Sequence, residues 1–208
     1  MKGAKYTEAT AANILDRAAA ILHGGGIVAF PTETYYGLGA DPFNEEALAR
    51  LFAVKKRPVN MPILVLIDGP GMLELLVEDI PERCRPLMDR YWPGPLTLLF
   101  PAKKELSGLL TGGTGTIGIR FSPNALVGRL LQIWKKPITA TSANISGESP
   151  AATASAVADS FANSIDYIID GGSTPGGQCS TILGCNRDGL QVVREGRIAI
   201  DPQDLSEK

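Results

Sequence analysis

Short apolar runs alternate with stretches of helical spacing along the first two-thirds of this chain. That alternation restricts the fold more than any other feature. Ile27 to Phe30, Pro62 to Ile67, Pro95 to Phe100, Thr116 to Phe121 and Ile138 to Ser142 read as strands. Between them lie helical patterns. Ile14, Leu15, Ala18, Ile21 and Leu22 form one stripe, closed by Gly24 to Gly26. Asn44 is a good N-cap, Leu48, Leu51 and Phe52 form a buried face, and Pro58 stops that helix. Gly71 to Val77, Arg85 to Tyr91, Asn124 to Trp134 and Thr153 to Phe161 also read as helical. Three further strands follow at Tyr167 to Ile169, Ser180 to Leu183 and Leu190 to Val193. The pattern implies one α/β domain over residues 1–208 with a mixed sheet and flanking helices. The segment from Asp201 onward reads as a flexible tail.

Several chemistries are excluded. A net charge of -2 gives no basic footprint for coating nucleic acid. No stretch reaches the ~18 apolar residues of a membrane span, and Asp16 and Arg17 interrupt any signal peptide, so a cytoplasmic protein is expected. Three cysteines without a CxxC pair point to reduced thiols rather than a disulfide framework or a zinc site. The one histidine, His23, closes the first helix, where a cation suits the dipole, and it excludes an HExxH metal motif. No Gly-Lys pair exists, hence no Walker A loop. Gly113, Gly115 and Gly118 spell GxGxxG, but they run into a strand instead of opening a helix, so they are not a dinucleotide fingerprint.

What remains is a set of polar residues at element ends. Thr32, Glu33 and Thr34 follow the first buried strand, and Pro31 removes a ladder donor there. Lys55 lies four residues after Leu51 and seven after Leu48, so it falls on the apolar face of its helix. It is either a snorkelling lysine or the wall of a pocket that needs positive charge. Arg57 follows at the helix end. Thr141, Ser142 and Asn144 close another strand, Ser180 and Thr181 open a later one, and Arg120 and Arg194 end two more. One lysine and three arginines among hydroxyls suit a polyanion together with a small polar molecule.

In order, PTETYYGLGA, KKRP, WPGPLT, IGIR, TSANISG, CSTIL and VVREG resemble the YrdC-like family, the threonylcarbamoyl-AMP synthases. The resemblance runs from about Ile27 to Gly196. It implies a YrdC/RibB-like fold: a single domain with a twisted mixed parallel and antiparallel sheet. It implies the reaction of L-threonine, bicarbonate and ATP, with Mg2+, to threonylcarbamoyl-AMP and pyrophosphate, for modification of tRNA at position 37. By resemblance Thr32, Arg120 and Ser180 would hold L-threonine. Lys55, Arg57, Thr116, Ser142, Asn144 and Arg194 would hold ATP, with Lys55, Arg57, Ser142 and Asn144 as the catalytic set and no protein-bound metal. Partners would be the proteins of tRNA modification. The alternatives are a module for double-stranded RNA or ribosomes, with weak RNA binding, or a paralogue acting on another substrate. Two departures stand out: ESPAAT replaces the family's Pro-Ser-Pro-Thr, and ILVLI lacks a histidine that some members carry. The chain reads as the short form, without the further C-terminal domain of some relatives.

Overall fold

In the computed structural model, residues 4–5, 11–161, 163–186 and 189–205 are described. In chain order the elements are β1 (Ala4–Lys5), α1 (Ala11–His23), β2 (Val28–Pro31), β3 (Tyr36–Gly39), α2 (Glu45–Lys55) and β4 (Val65–Ile67). A 3-10 helix (Pro70–Leu75), α3 (Cys84–Tyr91), β5 (Leu96–Pro101), α4 (Gly108–Thr111), β6 (Thr116–Phe121) and α5 (Ala125–Trp134) follow. Then come β7 (Ile138–Thr139), β8 (Thr141–Ser142), α6 (Ala154–Phe161), β9 (Tyr167–Asp170), β10 (Thr181–Asn186), β11 (Gly189–Arg194) and α7 (Pro202–Leu205).

The strands make two mixed sheets, a five-stranded one ordered β1-β9-β2-β3-β8 and a six-stranded one ordered β11-β10-β5-β6-β4-β7. The α/β class and the mixed pairing follow the sequence pattern. The division into two sheets has a local cause. The run Ile138 to Ser142, expected as one strand, splits at Ala140. β7 pairs with β4 in one sheet and β8 pairs with β3 in the other. The strand therefore changes sheets just before the Ser142 to Gly147 turn, and it draws the two sheets together there.

Alternation along the strands sets up two cores. On β2, Val28 and Phe30 face α1 and α5, where Leu15, Leu22, Leu131 and Trp134 are buried. Ile27 and Ala29 face the other way, toward Val65, Ile67, Leu98 and Ile119 of the six-stranded sheet. Burying each large aliphatic side chain contributes about 1.5–3 kcal/mol. Helix starts follow the sequence closely. Asn44 accepts from the Ala47 amide at 3.0 Å, and Asn124 accepts from the Leu126 and Val127 amides at 3.0 and 3.3 Å. His23 closes α1, its Nδ1 2.8 Å from the Ala19 carbonyl and its ring edge-on to Trp134.

One strand is absent from the sequence pattern, and two expectations are corrected. β2 turns straight back into β3 as an antiparallel hairpin, with Pro31 opposite Tyr36 as the last pair. Aromatic residues beside glycines had concealed β3. The segment from Asp201 is tethered rather than loose through Leu205, because Arg90 pairs with Asp201 and Asp204 at 3.3 and 3.0 Å. The tail's last three residues lie outside the described residues. Cys179 is a free thiol, but Cys84 is disulfide-bonded, since an odd cysteine count forbids complete pairing and not a single bond.

Candidate active site: a cavity at the seam of two sheets

A cavity of about 320 Å³ opens where β3 and β8 of one sheet approach β5, β6 and β10 of the other. That volume is within the range of small-molecule sites. Its wall includes Thr32, Thr34, Arg57, Arg120, Ser142, Ser180 and Arg194. So six of the residues singled out in the sequence meet in one cavity: Thr32, Arg57, Arg120, Ser142, Ser180 and Arg194. Lys55, Asn144 and Thr116 are not on its wall. Thr116 instead pairs with Thr114, hydroxyl to hydroxyl at 2.9 Å, at the start of β6.

Arg120 is the most unusual of these groups. β6 carries it inward, and only 4% of it is exposed. Its one ion-pair partner among the described residues is Glu33, whose Oε1 lies 3.3 Å from Nε. Neither of those two buried atoms has a hydrogen-bond partner. Glu33 is held by Ser122, whose hydroxyl donates to Oε2 at 2.5 Å. Burial works against the arginine charge, the Glu33 carboxylate favours it, and the neighbouring Arg194 opposes it. Since arginine stays protonated in proteins, the result is a buried cation whose terminal nitrogens are left for a ligand. Glu33 takes the Nε side, and the two Nη atoms form a fork suited to a carboxylate.

The other cations are more engaged. Arg194 Nη2 donates to the Ser180 carbonyl at 2.8 Å and to the Ser180 hydroxyl at 3.2 Å, which also meets Thr97 Oγ1 at 2.9 Å. Arg57 donates from Nη2 to the Pro62 carbonyl at 2.9 Å and from Nε to that of Met61 at 3.3 Å, shaping the rim. Arg197 bridges the carbonyls of Glu33 and Gly176, both at 3.1 Å, and so ties the β2–β3 turn to the segment before β10.

Thr32 is engaged locally. Its hydroxyl donates to the Tyr35 carbonyl at 2.7 Å and accepts from the Thr34 amide at 3.1 Å. With its proton used there, the 3.0 Å contact with Thr34 Oγ1 has Thr34 as donor. Thr34 therefore keeps two lone pairs toward the cavity. Sequence reading missed the part played by Thr34, Glu33 and Thr97. The first two were visible in the run Thr-Glu-Thr, but nothing in the sequence brought Thr97 beside Ser180.

Lys55 resolves the choice posed by its apolar position. It neither snorkels nor faces the cavity. It is 1% exposed, and its ammonium donates to the carbonyls of Ser142 and Asn144, the latter at 2.7 Å. Burial, and then the neighbouring Arg57 charge, lower its pKa from 10.5 to about 8, so it is mostly protonated at neutral pH.

A buried cationic fork among hydroxyls, set between two mixed sheets of an α/β fold, makes this cavity the candidate site, with a chemistry suited to a small anionic ligand. The family model Sua5/YciO/YrdC, with the description "Telomere recombination", matches residues 20–196, and the chain belongs to that family. It is 39% identical over 184 residues to a threonylcarbamoyl-AMP synthase of Pyrococcus abyssi, covering 88% of this chain and 54% of the relative. It is 41% identical over 183 residues to the Bacillus subtilis protein of that name, covering 88% of this chain and 53% of the relative. The chain thus spans about half the length of these two relatives. Pyrococcus abyssi Sua5 solved with L-threonine superposes with a TM-score of 0.84 at 39% identity, over 88% of this chain and 54% of that one.

Proposed function

We propose that this chain carries out the synthase reaction: L-threonine, bicarbonate and ATP to threonylcarbamoyl-AMP and pyrophosphate. The observation that carries the reading is Arg120, a buried cation whose terminal nitrogens have no acceptor among the described residues and whose cavity is lined by hydroxyls. Its fork grips the threonine carboxylate, with Glu33 holding the guanidinium in place from behind. Ser180, Thr97 and Thr34 face the rest of the amino acid. Arg57 and Arg194 supply charge for the phosphates.

Threonine's amine takes up carbon dioxide from bicarbonate, losing a proton, and becomes a carbamate. A carbamate oxygen attacks the α-phosphorus, the bond to the β-phosphate breaks, and pyrophosphate leaves. Such a transfer asks the protein mainly for alignment and charge neutralisation, which arginines and hydroxyls provide without a nucleophilic side chain. The cavity-lining residues include no carboxylate, so they make no resident Mg2+ site, and magnesium enters as part of the MgATP substrate. The product's mixed anhydride would serve tRNA modification by partner proteins in the cytoplasm. Arg57, Arg120 and Arg194 converge on one cavity, with Arg120 buried in its wall, which favours this reading over RNA binding along an open face.

The test is isotope exchange between pyrophosphate and ATP. The reading requires exchange that depends on both L-threonine and bicarbonate. Exchange independent of threonine would reject it. Valine, which lacks the hydroxyl, should support exchange more poorly than serine, because a site built for a hydroxyl leaves its own polar atoms unpaired.

A further inference from the structure

Cys179 has no part in the chemistry proposed above, yet it lies on the cavity wall beside Ser180, a free thiol that is half-buried. The chain holds it in place from both sides. Its carbonyl accepts from the Arg197 amide at 2.8 Å, and the Arg197 guanidinium donates to the Gly176 carbonyl at 3.1 Å. Tyr35 donates to the Gly177 carbonyl at 2.6 Å, and Arg194 donates to that of Ser180 at 2.8 Å. With the backbone so pinned, only χ1 is left to place the sulfur. Cys84 differs: it is fully buried and disulfide-bonded.

The thiol does not stand alone. Arg120 lines the same cavity, is 4% exposed, and has no hydrogen-bond partner at Nε. Arg194 brings a further cation to that wall. Reactive thiols sit in electropositive, partly exposed surroundings, and Cys179 has both. A small acid whose carboxylate entered the Arg120 fork would bring its carbon end into the cavity that Cys179 lines.

We propose that Cys179 is a modification site for small electrophilic carboxylates, which Arg120 draws in by their charge and the thiol then bonds through carbon. With an α-halo acid the sulfur–carbon bond forms, the carbon–halogen bond breaks, halide leaves, and the thiol proton goes to water. With an α,β-unsaturated acid the thiol adds across the double bond, and its proton ends on the α-carbon. Either adduct leaves a tethered carboxylate in the cavity, paired with Arg120, where it shuts out another carboxylate. That this excluded carboxylate is threonine's rests on the function proposed above.

The experiment uses iodoacetate and iodoacetamide, which differ in charge and little in size. Alkylation of Cys179 is followed by peptide mass spectrometry in the folded protein and in urea, where the same cysteine has no cavity. Taking the ratio of the two rates cancels the thiol's own reactivity. Directed entry requires the iodoacetate-to-iodoacetamide ratio at Cys179 to rise about tenfold on folding. An equal or lower ratio overturns the site. The rise should disappear in Glu33→Gln/Arg120→Leu. Acetate, which fills the fork without reacting, should lower the ratio in the wild type itself, so the result does not depend on how the variant folds. A ratio that stays high in either case overturns the role given to Arg120.

L-Threonine distinguishes this site from the function it builds on. Threonine present during alkylation should protect Cys179 from both reagents. The carboxymethylated protein should bind threonine about tenfold more weakly than the carbamidomethylated one, because only the first adduct carries a charge for Arg120. Cys179→Ser, treated with iodoacetate in the same way, should keep the threonine affinity it had before treatment. If both adducts bind threonine as the unmodified protein does, the blockade is overturned. If threonine gives no protection while the ratio still rises on folding, the directed thiol stands and the threonine reading of the cavity fails.

Discussion

Two buried cations in this fold, Lys55 and Arg120, are handled in opposite ways. Lys55, 1% exposed, directs its ammonium into backbone carbonyls of a turn. Arg120, 4% exposed, has one carboxylate near Nε, and no hydrogen bond among the described residues occupies its fork. Burying a charge is costly unless partners replace its water. Lys55 has those partners within the protein. Arg120 has them in part, and the remainder is left for a ligand to supply. In the proposed reading the first cation builds the site, and the second recognises what enters it.

The largest expected effect comes from dividing Arg120 from Glu33. Arg120→Leu leaves the Glu33 carboxylate facing a buried void of charge, and loss of one partner of a buried pair costs about 3–5 kcal/mol. Adding Glu33→Gln should restore most of that stability, measured by urea unfolding, without restoring the threonine requirement in the exchange assay. If the double variant recovers both, Arg120 serves only the fold. Arg120→Lys should rescue poorly, since an ammonium cannot reproduce the planar fork.

A smaller effect concerns pH. The Lys55 pKa falls from 10.5 to about 8 on folding. Between those values the unfolded chain holds a proton that the folded chain has released, so stability from this group rises as pH climbs through the window. Below pH 8 the penalty is fully present. The full difference is at most about 3 kcal/mol. Unfolding free energies of wild type minus Lys55→Met, taken at pH 7.5, 9 and 10, should therefore increase with pH. A flat difference would show that Lys55 keeps its ordinary affinity for protons, and that burial costs it little.

Arg57→Ala should weaken ATP by about 1.5–3 kcal/mol with a small change in stability, because its present partners are carbonyls of an exposed rim. Smallest is the threonine pair. Thr34→Val removes a hydroxyl with free lone pairs and should weaken threonine binding by about 1 kcal/mol. Thr32→Val should act mainly on stability, through the turn it holds. Equal effects on threonine affinity would mean that Thr32 rearranges to meet the substrate.

How much of this was legible in the sequence follows from distance along the chain. Lys55 was visibly on an apolar stripe because Leu48 and Leu51 precede it by whole turns. Its acceptors were not visible, because Ser142 and Asn144 lie 87 and 89 residues away. The pairing of Glu33 with Arg120 was hidden for the same reason. The rejection of GTGTIG as a dinucleotide loop stands, since Gly113 and Gly115 adopt positive φ in the turn that feeds β6. The sheet change at Ala140 hinges on a single residue between two short strands, and periodicity over so few positions carries no information about it.

Calorimetric titration of L-threonine into three proteins tests the contrast between the two cations most directly: wild type, Glu33→Gln/Arg120→Leu, and Lys55→Met. The account predicts that threonine binding is lost in the arginine-free protein and stays within about threefold of wild type in the lysine-free one. Threonine binding that survives without Arg120, or that falls equally in both variants, would contradict it.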